Sequence, residues 1–393
     1  MGVNGATGIR KTAKRPLRFS QLHLENWRNF TRVDVSLQRR TFLIGPNASG
    51  KSNLLDVFRF LHDLVAVGGG FQSAVRKRGS VSSLRCLAAR QYSDIVIHIS
   101  VGEGNGAIWD YELRFNQDNL RRPVIRNERV TRNGTVILDR PNKEDSDDPA
   151  RLSQTYLEQV NVNKDFRGVA DFLSSVRYLH IVPQLVREPD RSVGRTNDPF
   201  GGDFLEQIAR TPDKTQHARL RRILDTLKVA VPQISELELS RDNRGTPHLR
   251  GKYKHWRPQG AWQTEDLFSD GTLRLMGLLW AILDGNGPLL FEEPELSLHP
   301  EVVRFIPQMF ARIQRRTGRQ IILSTHSNDL LQDEGIGLDE ILLLEPGEQG
   351  TSVHAAEDDR QIKSLVTGGL SIAEAAMPRT RPEKAEQLAL FGE

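Results

Sequence analysis

The sequence has almost no cysteine. Cys86 is the only one among 393 residues, so the chain can form neither an intrachain disulfide nor a cysteine-based zinc site. It also lacks any apolar run near the roughly 18 to 20 residues that cross a bilayer, and its basic N-terminus lacks the apolar stretch of a secretion signal. These absences predict a soluble protein of a reducing compartment, most simply the cytoplasm, that reaches a membrane only through a partner.

Charge of one sign is not in large excess either, because 54 basic and 50 acidic residues leave a net charge of +4. The first twenty residues are the exception, since they contain no acid and five basic residues: Arg10, Lys11, Lys14, Arg15 and Arg18. Such an arm could bind nucleic acid or another anionic surface. A disordered, solubilising tail explains the same composition equally well.

Hydrophobic periodicity indicates an α/β chain. Period-two alternation from Leu22 and from Val33 predicts two half-buried strands, and the apolar run 41–45 predicts a buried one. A helix with one apolar face should follow from Lys51 to about residue 64, where three glycines end it.

The middle of the chain has a different pattern. The pattern predicts that roughly residues 150–227 are mostly helical, with one strand at 178–182. It predicts that the C-terminal third then alternates between strands and helices. The alternation predicts a parallel sheet covered by helices, and heptads are not sustained enough for a long coiled coil. We therefore predict a basic arm (1–17), an N-terminal lobe (18–140), a mainly helical insertion (141–232), a C-terminal lobe (233–360) and a C-terminal tail (361–393).

The strongest motif is the segment GPNASGKSN, which fits the pattern GxxxxGK[ST] between a predicted strand and a predicted helix. Its glycines let the backbone wrap around phosphates, and the N–H groups at the helix start point at the anion. Lys51 adds a point charge for the terminal phosphates, and Ser52 adds a hydroxyl for Mg²⁺. The segment predicts an ATP site with these binding residues: Gly45, Pro46, Asn47, Ala48, Ser49, Gly50, Lys51, Ser52 and Asn53.

A second motif, LLFEEPE, places carboxylates directly after an apolar strand. We assign Glu292 to Mg²⁺, which it would hold through water, and Glu293 to the attacking water, which it would orient or deprotonate. A cluster of acids on the surface would not need the buried strand before it.

Two further motifs accompany these carboxylates. Ser269 and Gly271 open a helix about twenty residues before them, and a helix start of this kind forms an anion site. His326 follows another buried strand, at the end where α/β sheets bind ligands. A lone histidine is more often structural, but this position favours a contact with the γ-phosphate.

In this order, the four motifs resemble the Walker A, signature, Walker B and switch histidine of an ABC-type ATPase. The segments EEPELSLHP and LENWRNF, together with Asn53 after the Walker serine, are similar to the RecF, SMC and overcoming-lysogenization-defect (OLD) group. The resemblance covers roughly residues 18–345. It implies an ABC-type P-loop NTPase head, with a mixed β lobe and a parallel sheet covered by helices.

The resemblance also implies a homodimer, or a higher oligomer, that encloses ATP and Mg²⁺ between its subunits. Ser269 and Gly271 of one copy would cap the nucleotide held by the other copy, and hydrolysis would weaken the interface. The group also has a glutamine that contacts the metal, for which Gln91 is the candidate.

Three features depart from the group. Glu292 stands where an aspartate is usual on the Mg²⁺ side. About 215 residues separate Walker A from the signature, too few for the long arms of SMC-like proteins, and 66 residues follow Ser327, too few for the TOPRIM nuclease of OLD proteins. We therefore expect an ATPase without intrinsic nuclease activity.

These points predict an ATP-driven switch that acts on DNA or guards against foreign DNA, with effector chemistry, such as a nuclease, on another chain. The prediction follows from a resemblance to the ATPase halves of two-component bacterial anti-phage systems. A slow ATPase that gates the assembly of signalling or scaffold partners is the alternative. A transporter ATPase subunit is a third hypothesis, and the segment SDGT argues against it because transporters carry Leu-Ser-Gly-Gly.

Two basic clusters are candidates for contact with DNA. One is the N-terminal arm, and the other is a group of arginines that a solvated surface would explain equally well: Arg121, Arg122, Arg126, Arg129 and Arg132.

Overall fold

A computed structural model of the chain describes residues 16–89, 93–104, 106–192, 198–255, 261–381 and 385–390. The candidate metal contact Gln91 and the basic residues that precede Pro16 lie outside the described residues. The strands are β1 (Arg18–Trp27), β2 (Phe30–Ser36), β3 (Arg40–Ile44), β4 (Ile95–Glu103), β5 (Gly106–Gln117), β6 (Pro123–Arg132), β7 (Thr135–Arg140), β8 (Arg177–Leu179), β9 (Ile234–Arg241), β10 (Pro247–Tyr253), β11 (Ala261–Thr264), β12 (Leu289–Glu292), β13 (Ile321–Ser324), β14 (Ile341–Gly347) and β15 (Gly350–Ala355).

Helices lie between some of these strands, and short 3₁₀ turns join several elements. The helices are α1 (Lys51–Val65), α2 (Phe71–Arg76), α3 (Val81–Leu84), α4 (Lys143–Asp147), α5 (Arg167–Ser174), α6 (Pro183–Val186), α7 (Phe204–Arg210), α8 (Asp213–Ala230), α9 (Asp270–Leu283), α10 (Pro300–Val303), α11 (Ile306–Thr317), α12 (Asn328–Leu331), α13 (Arg360–Thr367) and α14 (Ile372–Ala376).

An antiparallel sheet forms the N-terminal lobe, with the strand order β2-β1-β4-β5-β6-β7. The predicted alternation is visible in β2, where buried Phe30, Val33 and Val35 alternate with exposed residues. One face of the sheet therefore packs on the core and the other is open to solvent, as expected for an antiparallel sheet.

A second six-stranded sheet has the order β15-β14-β3-β13-β12-β8 and is parallel except for β15. Its central strand β3 is buried at every position, as the apolar run 41–45 predicts, because strands lie on both sides of it and helices cover the sheet. Helix α1 follows β3 and turns Leu54, Leu55 and Phe58 into the core shared with the N-terminal lobe.

The segment predicted as a helical insertion is mostly helical, but β8 lies within it and pairs with β12 at the edge of the parallel sheet. This segment is therefore joined to the ATPase core. The strand predicted near Ile234 is β9, which belongs to a separate antiparallel sheet with the order β11-β10-β9 and not to the parallel one.

Residues from 361 onward, predicted as a tail, include most of α13 and all of α14. Both helices pack into the hydrophobic core beside the parallel sheet, α13 through Ile362 and α14 through Ile372 and Ala373. Asp359 caps the start of α13. The longest described helix, α8, has 18 residues, so the predicted absence of a long coiled coil is confirmed for the described part of the chain. None of the described helices has the length and apolarity to span a bilayer.

Candidate nucleotide-binding site

The P-loop connects β3 to α1 in a turn that requires its glycines. Gly50 has a φ of 99°, and a Cβ atom there would lie 2.1 Å from the Asn29 amide nitrogen. At Gly45, a Cβ atom would lie 2.5 Å from the carbonyl oxygen of Leu344. Only glycine fits either position, so the backbone can follow a tight arc whose N–H groups face the same concavity.

Lys51 lies inside this arc. Its ammonium donates hydrogen bonds of 3.0 Å to the carbonyl oxygens of Gly45 and Pro46, and its side chain is buried. Burial lowers the pKa of Lys51, while the carboxylates of Glu293 and Glu292 partly oppose that shift. The loop thus holds one buried cation close to two carboxylates.

Asn29 braces the P-loop from behind. Its amide donates to the carbonyl oxygen of Ser49 at 2.8 Å and to the hydroxyl of Thr351 at 2.7 Å, and it accepts from the Asn53 amide at 2.9 Å. The carbonyl oxygen of Asn53 accepts in turn from the Trp27 indole at 2.9 Å. The Asn53 side chain, predicted to bind the cofactor, is therefore directed into this brace.

The carboxylate of Glu292 lies between two hydroxyl groups at the end of β12. The Ser52 hydroxyl donates to its Oε1 atom, and the Tyr178 hydroxyl donates to its Oε2 atom. Burial, followed by the charge of Glu292, raises the pKa of Tyr178, so the phenol stays protonated and remains a donor. Arg59 stacks over the Tyr178 ring, with 4.3 Å between the guanidinium carbon and the ring centroid.

This oxygen-rich set fits Mg²⁺. Serine and carboxylate oxygens are the ligands that Mg²⁺ prefers, and the ion commonly takes one or two from protein and the rest from phosphates and water. Among the described residues, no group of three or more His, Cys, Asp or Glu side chains could hold a metal. A Mg²⁺ ion held by Ser52 and Glu292 would take its other ligands from phosphates and water.

Glu293 and His326 form a second pair at the same edge of the sheet. The register aligns Glu292 of β12 with Ser324 of β13, so the residues that follow them emerge side by side. Glu293 has a φ of 44°, a left-handed conformation that is unusual for a side chain of this size. Its Oε1 atom lies 3.5 Å from Nε2 of His326. Burial and the nearby Lys51 lower the pKa of His326, which favours the neutral imidazole.

Glu295 holds the end of β13 in place. Its Oε1 atom accepts from the Thr325 hydroxyl at 2.5 Å and from the His326 backbone N–H at 3.1 Å. Burial raises the pKa of this carboxyl group. Glu295 therefore positions the backbone that carries His326.

The predicted signature lies at the start of α9. The Ser269 hydroxyl caps α9 by accepting from the Thr272 N–H at 3.2 Å, and a Cβ atom on Gly271 would lie 2.3 Å from the carbonyl oxygen of Ser297. Arg187 donates to Asp270 at 2.6 Å. Within the described residues, Ser269 and Gly271 make no hydrogen bond to the P-loop.

Three side chains at the site carry no motif in the sequence: Asn29, Tyr178 and Arg274. Arg274 lies one turn into α9 and lines a small cavity together with Glu292 and Glu293. Only the segment LENWRNF, which contains Asn29, gave any sequence signal for them.

The carboxyl edge of one parallel sheet carries the P-loop, Glu292 with its two hydroxyl donors, and the pair of Glu293 and His326. An antiparallel lobe lies beside this sheet. That combination is an ABC-type P-loop ATPase head. The chain belongs to the family described as "AAA domain, putative AbiEii toxin, Type IV TA system", whose sequence model matches residues 40–332. No curated protein sequence matches it.

Solved structures with a similar fold are heads of SMC proteins. One is an SMC head bound to the C-terminal winged-helix domain of ScpA, with a TM-score of 0.52, 14% identity, and coverage of 86% of this chain and 97% of that one. Another is the SMC head of Pyrococcus furiosus with an extended coiled coil, bound to the C-terminal domain of ScpA, with a TM-score of 0.50, 12% identity and coverage of 90% and 100%.

A third is the SMC head of Pyrococcus yayanosii with a coiled coil and joint, at a TM-score of 0.50, 10% identity and coverage of 90% and 100%. At these identities the likeness concerns the fold alone. It confirms the predicted head architecture, and the family match confirms the ATPase class.

Proposed function

We propose that the protein is an ATP-hydrolysing switch in which two copies close around nucleotide, and that it acts on DNA or in anti-phage defence with a separate effector subunit such as a nuclease. The observation that supports the switch most directly is the meeting of Ser52 with Glu292 and of Glu293 with His326 at one sheet edge. These two pairs provide a metal-side contact and a water-side contact a single residue apart.

Each residue has a distinct part in the proposed reaction. Lys51 and the P-loop N–H groups bind the phosphates, and Ser52 and Glu292 would hold Mg²⁺, which neutralises phosphate charge when bound. Glu293 orients the attacking water and accepts its proton. The neutral imidazole of His326 donates a hydrogen bond to the γ-phosphate, while Ser269 and Gly271 of the second copy cap the same nucleotide from the other side.

The ATP hydrolysis rate of the purified protein, with and without duplex DNA, tests the proposal, and Glu293→Gln serves as the blank. We expect hydrolysis to depend on Mg²⁺. We also expect DNA to stimulate it, and this stimulation to fall as the salt concentration rises. Hydrolysis that ignores DNA would favour the alternative, a slow ATPase that gates the assembly of protein partners. Equal rates for the wild type and the blank would contradict the assignment of Glu293.

Binding of nucleotide can be tested separately with Lys51→Ala. This variant removes the buried ammonium from the loop, so we expect ATP affinity to fall by about 100-fold or more, as for loss of a contact between a cation and a phosphate. Calorimetric titration with ATP measures the change. Wild-type affinity in this variant would exclude the P-loop as the phosphate site.

A further inference from the structure

Several described arginines of the two basic clusters are engaged by other groups of the protein. Arg18 is buried and donates to the carbonyl oxygens of Gly104 and Leu37. Arg122 pairs with Asp118 at 2.7 Å and Arg129 with Asp139 at 2.8 Å, while Arg132 stacks over a tryptophan ring. Paired guanidinium groups offer little net charge to a polyanion.

Four other arginines are exposed on α11 and just before β3, and we call them the α11 surface: Arg39, Arg312, Arg315 and Arg316. Gln314 of α11 donates to the carbonyl oxygen of Arg39 at 2.6 Å, which joins the two segments. Within the part of the chain that the structure describes, none of the four forms an ion pair. No acid occurs between Asp34 and Asp56 or between Glu301 and Asp329, so none of the four arginines has an acidic neighbour close by in the sequence.

Local helix stability does not account for the whole group. Arg315 and Arg316 lie in the last turn of α11, where the helix dipole favours cations. Arg312 precedes that turn and Arg39 belongs to another segment, so the helix dipole favours these two cations less. Arg40, the neighbour of Arg39, pairs with Glu340 and donates to the Pro307 carbonyl oxygen in the first turn of α11.

The α11 surface is connected to the nucleotide site through two strands. β3 begins beside Arg39 and leads into the P-loop, and β13 follows α11 and leads to His326. Each strand has only 4 or 5 residues, so the surface lies at the opposite edge of the same sheet, on the order of 15 Å away. Pro16 packs against Gly318 at the end of α11, where the chain enters the described part.

We propose that the α11 surface binds the phosphate backbone of duplex DNA, an assignment that rests on the DNA arm of the proposed function. All four residues are arginine, whose planar fork binds phosphate oxygens in pairs, and none is lysine. Arg312 and Arg316 are one turn apart, about 6 Å along the helix. Contacts to the backbone alone give binding without sequence preference.

The test compares two triple variants with the same change of charge. Arg312→Gln/Arg315→Gln/Arg316→Gln removes three cations from the α11 surface. Arg221→Gln/Arg222→Gln/Lys228→Gln removes three exposed cations from α8, a helix that also carries Asp213 and Asp225. Fluorescence anisotropy with a labelled duplex of about 30 base pairs gives the affinity at several salt concentrations.

We expect the α11 variant to lose about tenfold or more in affinity and its log–log salt slope to fall by about 2 to 3, since each lost phosphate contact removes about 0.9. The α8 variant should match the wild type. Equal losses in both variants, or a wild type that does not bind duplex DNA, would overturn the α11 assignment. Basal ATP hydrolysis should persist in both variants. A wild type that does not hydrolyse ATP would contradict the proposed function, and this outcome is distinct from a failure of the α11 assignment.

A different observation concerns Arg274. Its Nε atom is buried, and it has no hydrogen-bond partner among the described residues. Buried donors are normally paired, so this one needs an explanation. Arg274 lines a cavity with Glu293, and that carboxylate and Asp270 both favour its charged form against the effect of burial.

We infer that Arg274 is a positioning residue that offsets the negative charge of Glu293 and so permits the γ-phosphate to approach. The inference rests on the proposed role of Glu293 and is tested by a double-mutant cycle. Arg274→Gln should weaken ATP binding about fivefold or more when Glu293 is present, and much less in Glu293→Gln, where no charge needs to be offset.

Arg274→Lys should restore most of the affinity, because it keeps the charge. A loss that is the same in both backgrounds would show a merely structural role and would reject the inference. The wild-type affinity for ATP, measured in the same titrations, tests the proposed function independently.

Discussion

Glu292 illustrates how one side chain can be fixed by two neighbours. Its two carboxylate oxygens have different donors, Ser52 from the start of α1 and Tyr178 from β8. Because Tyr178 stays protonated, it holds Oε2 and leaves Oε1 directed at Ser52. The tyrosine thereby sets the orientation of the carboxylate that we assign to Mg²⁺.

Removing this hydroxyl should weaken the metal side of the site alone. In Tyr178→Phe, we expect the Mg²⁺ concentration for half-maximal ATP hydrolysis to rise about tenfold, which corresponds to loss of a hydrogen bond to a charged group of about 1.5 kcal/mol. ATP affinity without Mg²⁺ should stay unchanged. Tyr253→Phe is the control, because that hydroxyl has no hydrogen bond to a carboxylate of the residues that the structure describes. An unchanged Mg²⁺ requirement would exclude this role for Tyr178.

His326 makes the stability of the protein depend on pH in a definite direction. Its pKa in the folded protein is below the ordinary value of about 6.5. As pH falls through about 6.5, the unfolded chain takes up a proton that the folded chain does not yet accept, so stability decreases.

Melting temperatures of the wild type and His326→Gln between about pH 5 and 8 test this direction. We expect the wild type to lose stability relative to the variant as pH falls below about 6.5, whereas His62, also of lowered pKa, contributes equally to both proteins. A difference in melting temperature that is constant over the range would contradict the prediction.

At the scale of elements, the P-loop depends on a brace from the first hairpin. Asn29 lies between β1 and β2 and links the loop to the start of α1 and to β15. The N-terminal lobe therefore fixes a loop that belongs to the parallel sheet.

Asn29→Ala should loosen that loop. We expect the free energy of unfolding to fall by about 1 to 3 kcal/mol, since a carbonyl and an amide lose their partner, and ATP affinity to fall about tenfold. Chemical denaturation and ATP titration measure the two effects, with Gln308→Ala on the exposed face of α11 as the control. If stability falls while affinity is preserved, the brace does not organise the phosphate site.

Elements with local signals could be predicted from the sequence. The run before Gly45, the start of α1 at the P-loop and the carboxylates at the end of β12 each depend on neighbours in the chain, and the structure has β3, α1 and β12 where the sequence predicts them. Tyr178 could not be recognised, because its meeting with Glu292 depends on β8 pairing with β12 across more than a hundred residues. The contacts of Asn29 with the P-loop and the cavity that Arg274 lines also form only in the folded chain, although they join residues closer in the sequence.

The ion pairs that neutralise arginines could not be predicted from the sequence either. Arg129 belongs to a basic cluster in the sequence, yet β7 brings Asp139 against it. Arg39 and Arg312 are far apart in the sequence and belong to no basic cluster there, although the fold leaves both exposed. Which cations stay free is a property of tertiary neighbours that composition does not record.

For the whole molecule, the proposed closure around ATP can be trapped. Glu293→Gln keeps the P-loop and the signature but lacks the carboxylate that would accept the proton of water, so we expect it to bind ATP without hydrolysing it. Light scattering with ATP and Mg²⁺ should then show a doubled mass that ADP does not produce. A variant that stays monomeric with ATP would argue against the sandwich dimer.

Among the described residues, Ser269 and Gly271 make no hydrogen bond to the P-loop of their own chain, and their proposed place on the nucleotide of the second copy has a genetic consequence. If each site takes its loop from one copy and its cap from the other, a subunit with a damaged loop and a subunit with a damaged cap can together assemble one intact site. Two defective alleles would then complement each other in the same cell. An allele that still binds ATP but cannot turn it over, such as Glu293→Gln, would instead be dominant, because it would sequester wild-type subunits in closed pairs.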